Sequence, residues 1–316
     1  MWNWTAVASL LAAVAAGAGV VFTGLSLEAT REQNAVTEQG QLTDRFTKAV
    51  DQLDRAGADH LQARLGGIYA LERLARDSPR DQPTVIEALS AFVRSAAPRP
   101  YGPGGFGYAP CPESPTADAQ AALTVLGRRD TSHDRDTRVN LTRTCLTLAQ
   151  LPDVKLARAD LSNADLTGAD LTRADLTEAN LRGTKLTDVN LHGATLTRAD
   201  LAITNLRGAS LLKADLTNAD LSTADLTDAT LHGATLTRAT LVSATLTQVN
   251  LLEADLTNAN LRGATLTQAT LTGANLSGAN LANAVFTKAD LFGAYLTGAD
   301  LTNADFTDAD LRYTRR

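Results

Sequence analysis

The feature that most constrains this chain is a period of five. From Leu141 to Leu311 every fifth residue is Leu, except Phe286 and Phe306, giving 35 consecutive five-residue units with no slip of frame. Two residues before each stands a small residue, mostly Ala, with Val139, Thr144, Val154, Thr184, Val189, Thr204 and Val249 among the exceptions. A typical unit is Ala169-Asp170-Leu171-Thr172-Arg173. Five fits neither regular element. On an α-helix a step of five turns the side chain by about 140°, scattering the leucines around the axis. On a flat strand an odd step alternates between faces. Every Leu can point inward only if the chain bends once per unit, so each pentapeptide forms one short side of a coil and the coils stack into a solenoid.

Composition agrees. Aromatic residues are 4% of the chain, there is one Met, and the 44% hydrophobic content is carried mainly by Leu and Ala. Irregular cores rely on large and adaptable side chains to fill space; this one must be regular. Unusual residues recur at multiples of 20, as in Phe286 and Phe306, Thr184 and Thr204, and Val189 and Val249, and LHGATLTR at 191–198 returns at 231–238. Such spacing stacks like on like if each coil has four sides. On these residues the segment 139–316 resembles the pentapeptide-repeat family. The resemblance implies a mainly β fold, a right-handed quadrilateral β-helix with the central Leu or Phe and the preceding Ala inside. It also implies about 20 residues per coil and close to nine coils, a rod of about 40 Å at one strand spacing per coil.

Five regions follow: 1–28, 29–96, 97–115, 116–138 and the repeats at 139–316. Thr5 to Leu27 is a run of 23 uncharged residues preceded by Trp2 and Trp4, long enough as a helix to cross a bilayer and carrying interfacial aromatics. It reads as a single-pass transmembrane anchor that holds the protein at the cell membrane. No Lys or Arg precedes it, as a cleaved signal peptide would require. Arg31, Arg45 and Lys48 follow it, which places the soluble part in the cytoplasm by the positive-inside tendency. Helical spacing of apolar residues at 42–55, 61–76 and 83–95 predicts a small bundle in 29–96. Six prolines and four glycines mark 97–115 as a linker. A capping helix is expected at 116–126, closed by Gly127, with a polar connector to 138. TDRFTKAVDQL at 43–53, RLGGIYALERLARDS at 64–78, AFVR at 91–94 and AQAALTVLGRR at 119–129 are similar to actinobacterial membrane-anchored pentapeptide-repeat proteins, a resemblance of architecture rather than activity.

Function is bounded mostly by exclusion. Net charge is −6, so there is no basic footprint for direct nucleic-acid binding. Cys111 and Cys145 lie 34 positions apart without CxxC spacing, which suggests neither a disulfide framework nor a zinc site. His192 and His232 occupy equivalent positions 40 residues apart, too far for one metal ion. The frequent Asp before the central Leu, as in Asp160, Asp165, Asp170 and Asp175, reads as a solvated face, because a convex rod offers no cleft to shift carboxylates toward acid–base work. No catalytic, cofactor-binding or metal-binding residue is assigned, and the chain is not read as an enzyme. It reads instead as a membrane-anchored scaffold whose rod binds protein partners. The family resemblance supplies an alternative, a DNA-mimicking inhibitor of DNA gyrase, since some members present an acidic rod. Residues 151–316 carry 19 acidic and 14 basic side chains, and this excess is small beside duplex DNA of equal length. The rod's five aromatics, Phe286, Phe292, Tyr295, Phe306 and Tyr313, all fall in its last 31 residues. They are candidates either for plugging the last coils or for a homodimer through the C-terminal end, as the resembling gyrase inhibitors pair.

Overall fold

The computed structural model describes residues 4–102 and 107–316, with side chains in the first helix described from Thr23 onward except at 24, 25, 27, 29 and 35. Four helices precede the rod: α1 (Trp4–Leu53), α2 (Leu61–Asp77), α3 (Gln82–Ala96) and α4 (Ala117–Arg128). Sequence reading separated the apolar run from the first bundle helix, but α1 carries the chain through both without a break. The side chains of 5–27 lie almost wholly outside the described residues. Among the described residues no helix is long and apolar enough to cross a membrane. From Glu28 to Gln41 the described side chains of α1 are exposed, and its packing begins at Leu42, Phe46 and Ala49. There α1 and α2 cross closely, since a Cβ on Gly67 would sit 2.6 Å from the carbonyl oxygen of Ala49.

Ile68, Leu71 and Leu74 of α2, Val85, Ile86, Leu89 and Val93 of α3, and Ala122, Leu123 and Leu126 of α4 form one buried cluster continuous with the interior of the rod. Arg64 on α2 ties this domain together: its Nε pairs with the buried Asp118 at the start of α4, while Nη1 donates to the carbonyls of Arg55 (2.7 Å) and Gly57 (2.8 Å).

From Val139 the chain winds as a square coil. Each side contributes one residue to a parallel bridge with the residue 20 further on, from Asn140 with Asp160 to Tyr295 with Arg315. Four columns result, headed by Asn140, Cys145, Gln150 and Lys155, here sides one to four. The ladder is one residue wide on every side, so the rod has no strand longer than a bridge. At each corner the amide of the small residue donates to the carbonyl three back, as Ala169 does to Leu166 at 3.0 Å. The residue before it takes a positive φ, from Arg143 at 52° to Gly298 at 70°. Left-handed backbone suits Gly and Asn and strains branched residues, and Ile203 adopts it at 61°. Leu and Ala fill the interior, with Leu206 to Leu291 at 0% exposure.

The first coil has no earlier coil to bond, and the helical domain replaces it side by side. Within the rod a ladder amide donates to the carbonyl 21 residues back, as Asp160 does to Val139 at 2.9 Å. On the first coil, Asn140 N donates to Ser90 Oγ (3.3 Å), Cys145 N to Ala97 O (2.8 Å), Gln150 N to Gln120 Oε1 (3.1 Å) and Lys155 N to Gly127 O (3.0 Å). Carbonyls are met as well: Arg94 donates to Asn140 O, Gln120 Nε2 to Gln150 O and Arg129 to Lys155 O, each at 2.7 Å. Buried amides without a partner are costly, so the domain acts as a fitted end-cap.

Three expectations are corrected here. Gly127 does not end α4, which runs to Arg128; a Cβ there would sit 2.5 Å from Val154 Cγ2, so glycine is needed for close approach to the rod. The linker 97–115 is fastened to the first coil at its described parts, 97–102 and 107–115. Its start pairs antiparallel with the first coil, Pro98 opposite Thr144, and Arg99 lies over the Tyr108 ring at 4.2 Å while donating to Asn163 O at 2.7 Å. Finally, Cys111 and Cys145 form a disulfide, their Cα atoms 5.4 Å apart. Spacing along the chain gave no sign of it, because the pairing of 97–99 with 143–145 turns the chain back over side two and delivers Cys111 to Cys145.

Candidate interaction surfaces of the rod

Asp and Asn before the central Leu have a local task. Their Oδ1 accepts the backbone amide two residues on, as in Ser162 to Asp160 (2.9 Å), Thr217 to Asp215 (2.9 Å) and Arg262 to Asn260 (3.2 Å). Thr at the same place adds its hydroxyl, at 2.6 Å for Thr217 and Thr227. This is an Asx turn, which competes for backbone groups the ladder leaves open. The reading of these aspartates as merely solvated missed that task. The A-(D/N)-L-T pattern was the available signal.

Burial alone would raise the carboxyls of Asp215, Asp225 and Asp255, but hydrogen bonds from Thr217, Thr227 and Thr257 outweigh it and hold all three below the usual range. Asp310, bonded by the Arg312 side chain and amide, is held at about 2. A carboxyl held low in the folded state stabilises fully above the unfolded value of about 3.9 and loses that contribution as pH falls through the folded one. The unfolding temperature is therefore expected to drop between pH 6 and pH 2. Far-UV circular dichroism melts at the two values check this, and equal midpoints would contradict it.

Acids appear on all four sides, as Asp200, Asp225, Asp170 and Asp175 show for sides one to four. Many are answered by a base on an adjacent coil: Arg173 with Asp153 (2.6 Å), Lys185 with Asp165 (3.5 Å), Arg198 with Glu178, and Arg207 with both Asp225 (3.4 Å) and Asp228 (3.5 Å). Exposed pairs of this kind add little stability, and they lower the negative field only where they stand. His232 Nε2 lies 3.6 Å from Glu253. Among the described residues no three potential metal ligands come together.

The five C-terminal aromatics do not make one surface. Phe286 and Phe306 stack inside the rod, ring centroids 4.9 Å apart, with Phe286 fully buried. Phe292 and Tyr313 meet edge to face on side three at 5.1 Å, with Arg312 over Phe292. Tyr295 stands on side four beneath Arg315, 4.8 Å from its ring. The last coil lacks what the first has. Leu301, Phe306 and Leu311 are only half-buried, and their amides make none of the bonds that Leu281, Phe286 and Leu291 make to Asp300, Asp305 and Asp310.

A sequence profile of pentapeptide repeats matches in eight copies between residues 137 and 315. The chain belongs to the pentapeptide repeat family. That membership fits the square coil and implies the right-handed β-helix of this family. Among solved structures the pentapeptide-repeat rod is similar to HetL of the cyanobacterium Nostoc sp. strain PCC 7120, a protein involved in heterocyst differentiation regulation. Identity is 34%, over 56% of this chain and 82% of HetL, with TM-score 0.44. Rfr23 of the cyanobacterium Cyanothece 51142 matches at 38% identity over 32% of this chain and 63% of its own, TM-score 0.21. QnrB1, a plasmid-mediated fluoroquinolone resistance protein, matches at 23% over 51% and 86%, TM-score 0.22. No curated protein matches.

Proposed function

We propose that this pentapeptide-repeat protein is a membrane-tethered, non-catalytic scaffold whose rod offers a rigid polar surface to protein partners. The observation that carries this reading is the rod itself, four polar faces of stacked bridges fastened at the first coil to a helical domain continuous with α1. Outward Thr, Asn, Asp and Arg on a convex surface offer hydrogen bonds without the concavity that small ligands need. The half-buried Leu301, Phe306 and Leu311 are where a second copy would sit, because identical faces pair about a two-fold axis and close the assembly. Sedimentation of the full chain in detergent should give a dimer, reduced to monomer by Phe306→Asp; a monomeric wild type would remove this contact from the proposal. The DNA-mimic reading weighs less, since the acids are spread over four sides and interleaved with bases rather than gathered on one face. Full chain added to a gyrase supercoiling assay is expected to leave the reaction unchanged, and inhibition would reverse that preference.

The proposed tether is the apolar run 5–27, and two features bear on the side of the membrane. Positive charge after the run favours the cytoplasm, yet the chain's two cysteines are bonded to each other, and disulfides persist in oxidising compartments. We therefore place the rod on the outer, oxidising face. A membrane-impermeant maleimide on intact spheroplasts should label the protein only after reduction. Labelling that needs lysis but no reduction would return the rod to the cytoplasm.

A further inference from the structure

The helical domain encloses a cavity of about 300 Å³ between α2, α3 and α4, at the small end of volumes that hold a ligand. Its floor is apolar, formed by Ala75, Val85, Ile86, Leu89, Val125 and Leu126. Its mouth carries Glu72, Arg76, Arg128, Arg129, Asp130 and His133.

Hydrogen bonding at the mouth is one-sided. Glu72 Oε1 accepts from Arg76 Nη2 and Arg128 Nε, and Oε2 from Arg128 Nη2, all at 2.7 Å. Those bonds outweigh burial and hold the Glu72 carboxyl below its ordinary range. Asp134, behind the rim, is taken by Arg129 and Gln82. Asp130 Oδ1 accepts the amide and hydroxyl of Ser132, and its Oδ2 lies 3.5 Å from His133 Nδ1. Arg76 and Arg128 share the Glu72 carboxylate through one edge each, and the Nη1 of each guanidinium faces outward with no hydrogen bond among the described residues.

We propose that this cavity binds a small amphipathic monoanion, a carboxylate on an aromatic or short aliphatic body. The body lies against Val85, Leu89 and Val125, and the carboxylate takes the free N–H groups of Arg76 and Arg128, whose planar forks suit it. The same α3 and α4 supply Ser90, Arg94, Gln120 and Gly127 to the first coil, so an occupant would brace the cap of the rod.

Calorimetry of 2-naphthoate against the full chain in lipid nanodiscs, with empty nanodiscs subtracted, tests this. Naphthoate should bind saturably, and 2-naphthylmethylamine at least tenfold more weakly. Ala75→Trp, at a half-buried position facing the cavity, should abolish the naphthoate signal with an unchanged melting curve. Arg76→Glu, on a side chain 70% exposed, should weaken naphthoate at least tenfold and serves as the test if Ala75→Trp fails to fold. No saturable binding, equal binding of the amine, or undiminished naphthoate binding by Arg76→Glu or a folded Ala75→Trp would each overturn the proposal.

Discussion

Phe286→Ala should cost about 3–5 kcal/mol, the range for emptying a fully buried aromatic site in a core that cannot collapse. The surrounding walls are fixed by the ladder on all four sides, so the cavity has no easy way to close. Its stacking partner provides the control: Phe306, in the open last coil, is half-buried, and truncating it should cost roughly 1–2 kcal/mol, the transfer value of a partly buried side chain. Denaturant titrations of the two variants beside wild type measure both. Equal losses would mean that the last coil is as closed as the one before it, contrary to the exposure of Leu301 and Leu311.

Replacing both cysteines by Ala should cost roughly 3–4 kcal/mol, the entropy of opening a closed loop of this length in the unfolded chain. The local consequence is sharper. Among the described residues, segment 97–115 is held by few backbone bonds, among them Arg99 N to Arg143 O at 2.8 Å and Cys145 N to Ala97 O at 2.8 Å, and the disulfide anchors its far part. Without that bond, chymotrypsin should cut after Tyr108, a ring otherwise half-buried against Arg99. An unchanged denaturation midpoint together with protection of Tyr108 would show that the pairing of 97–99 suffices alone.

What could be read in advance follows from the range of each interaction. The solenoid was legible because its rule is local and repeated: Leu at every fifth position excludes helix and strand before any contact is known. The 20-residue coil was legible for the same reason, through Phe286 above Phe306 and Thr184 above Thr204. The cap was not. Ser90, Gln120 and Gly127 look like ordinary helix residues, and their task appears only when the first coil brings Asn140, Gln150 and Lys155 beside them. Gly127 was misjudged because a glycine near a helix end signals a stop more often than a close approach. Cys111 and Cys145 were misjudged because no local pattern records that 97–99 folds back on 143–145. The aspartates were half legible: their outward direction was clear, but their bond to the amide two residues on was not. Of the five aromatics, the frame of the repeat already put Phe286 and Phe306 inside, but not the contacts of Phe292 with Tyr313 and of Tyr295 with Arg315 on the outside.

The one-residue ladder carries a rule about length. Every bond along the rod joins residues about one full circuit apart, so excising a block of 20 would bring the remaining sides back into line. Tyr295 and Phe292 would keep their bearings relative to α3 and α4, and the rod would simply be about 5 Å shorter. Excising five would preserve every local turn yet swing everything downstream by a quarter revolution. Reach in this molecule is therefore adjustable in whole storeys, while the compass direction of whatever binds at the far end is fixed by arithmetic modulo 20.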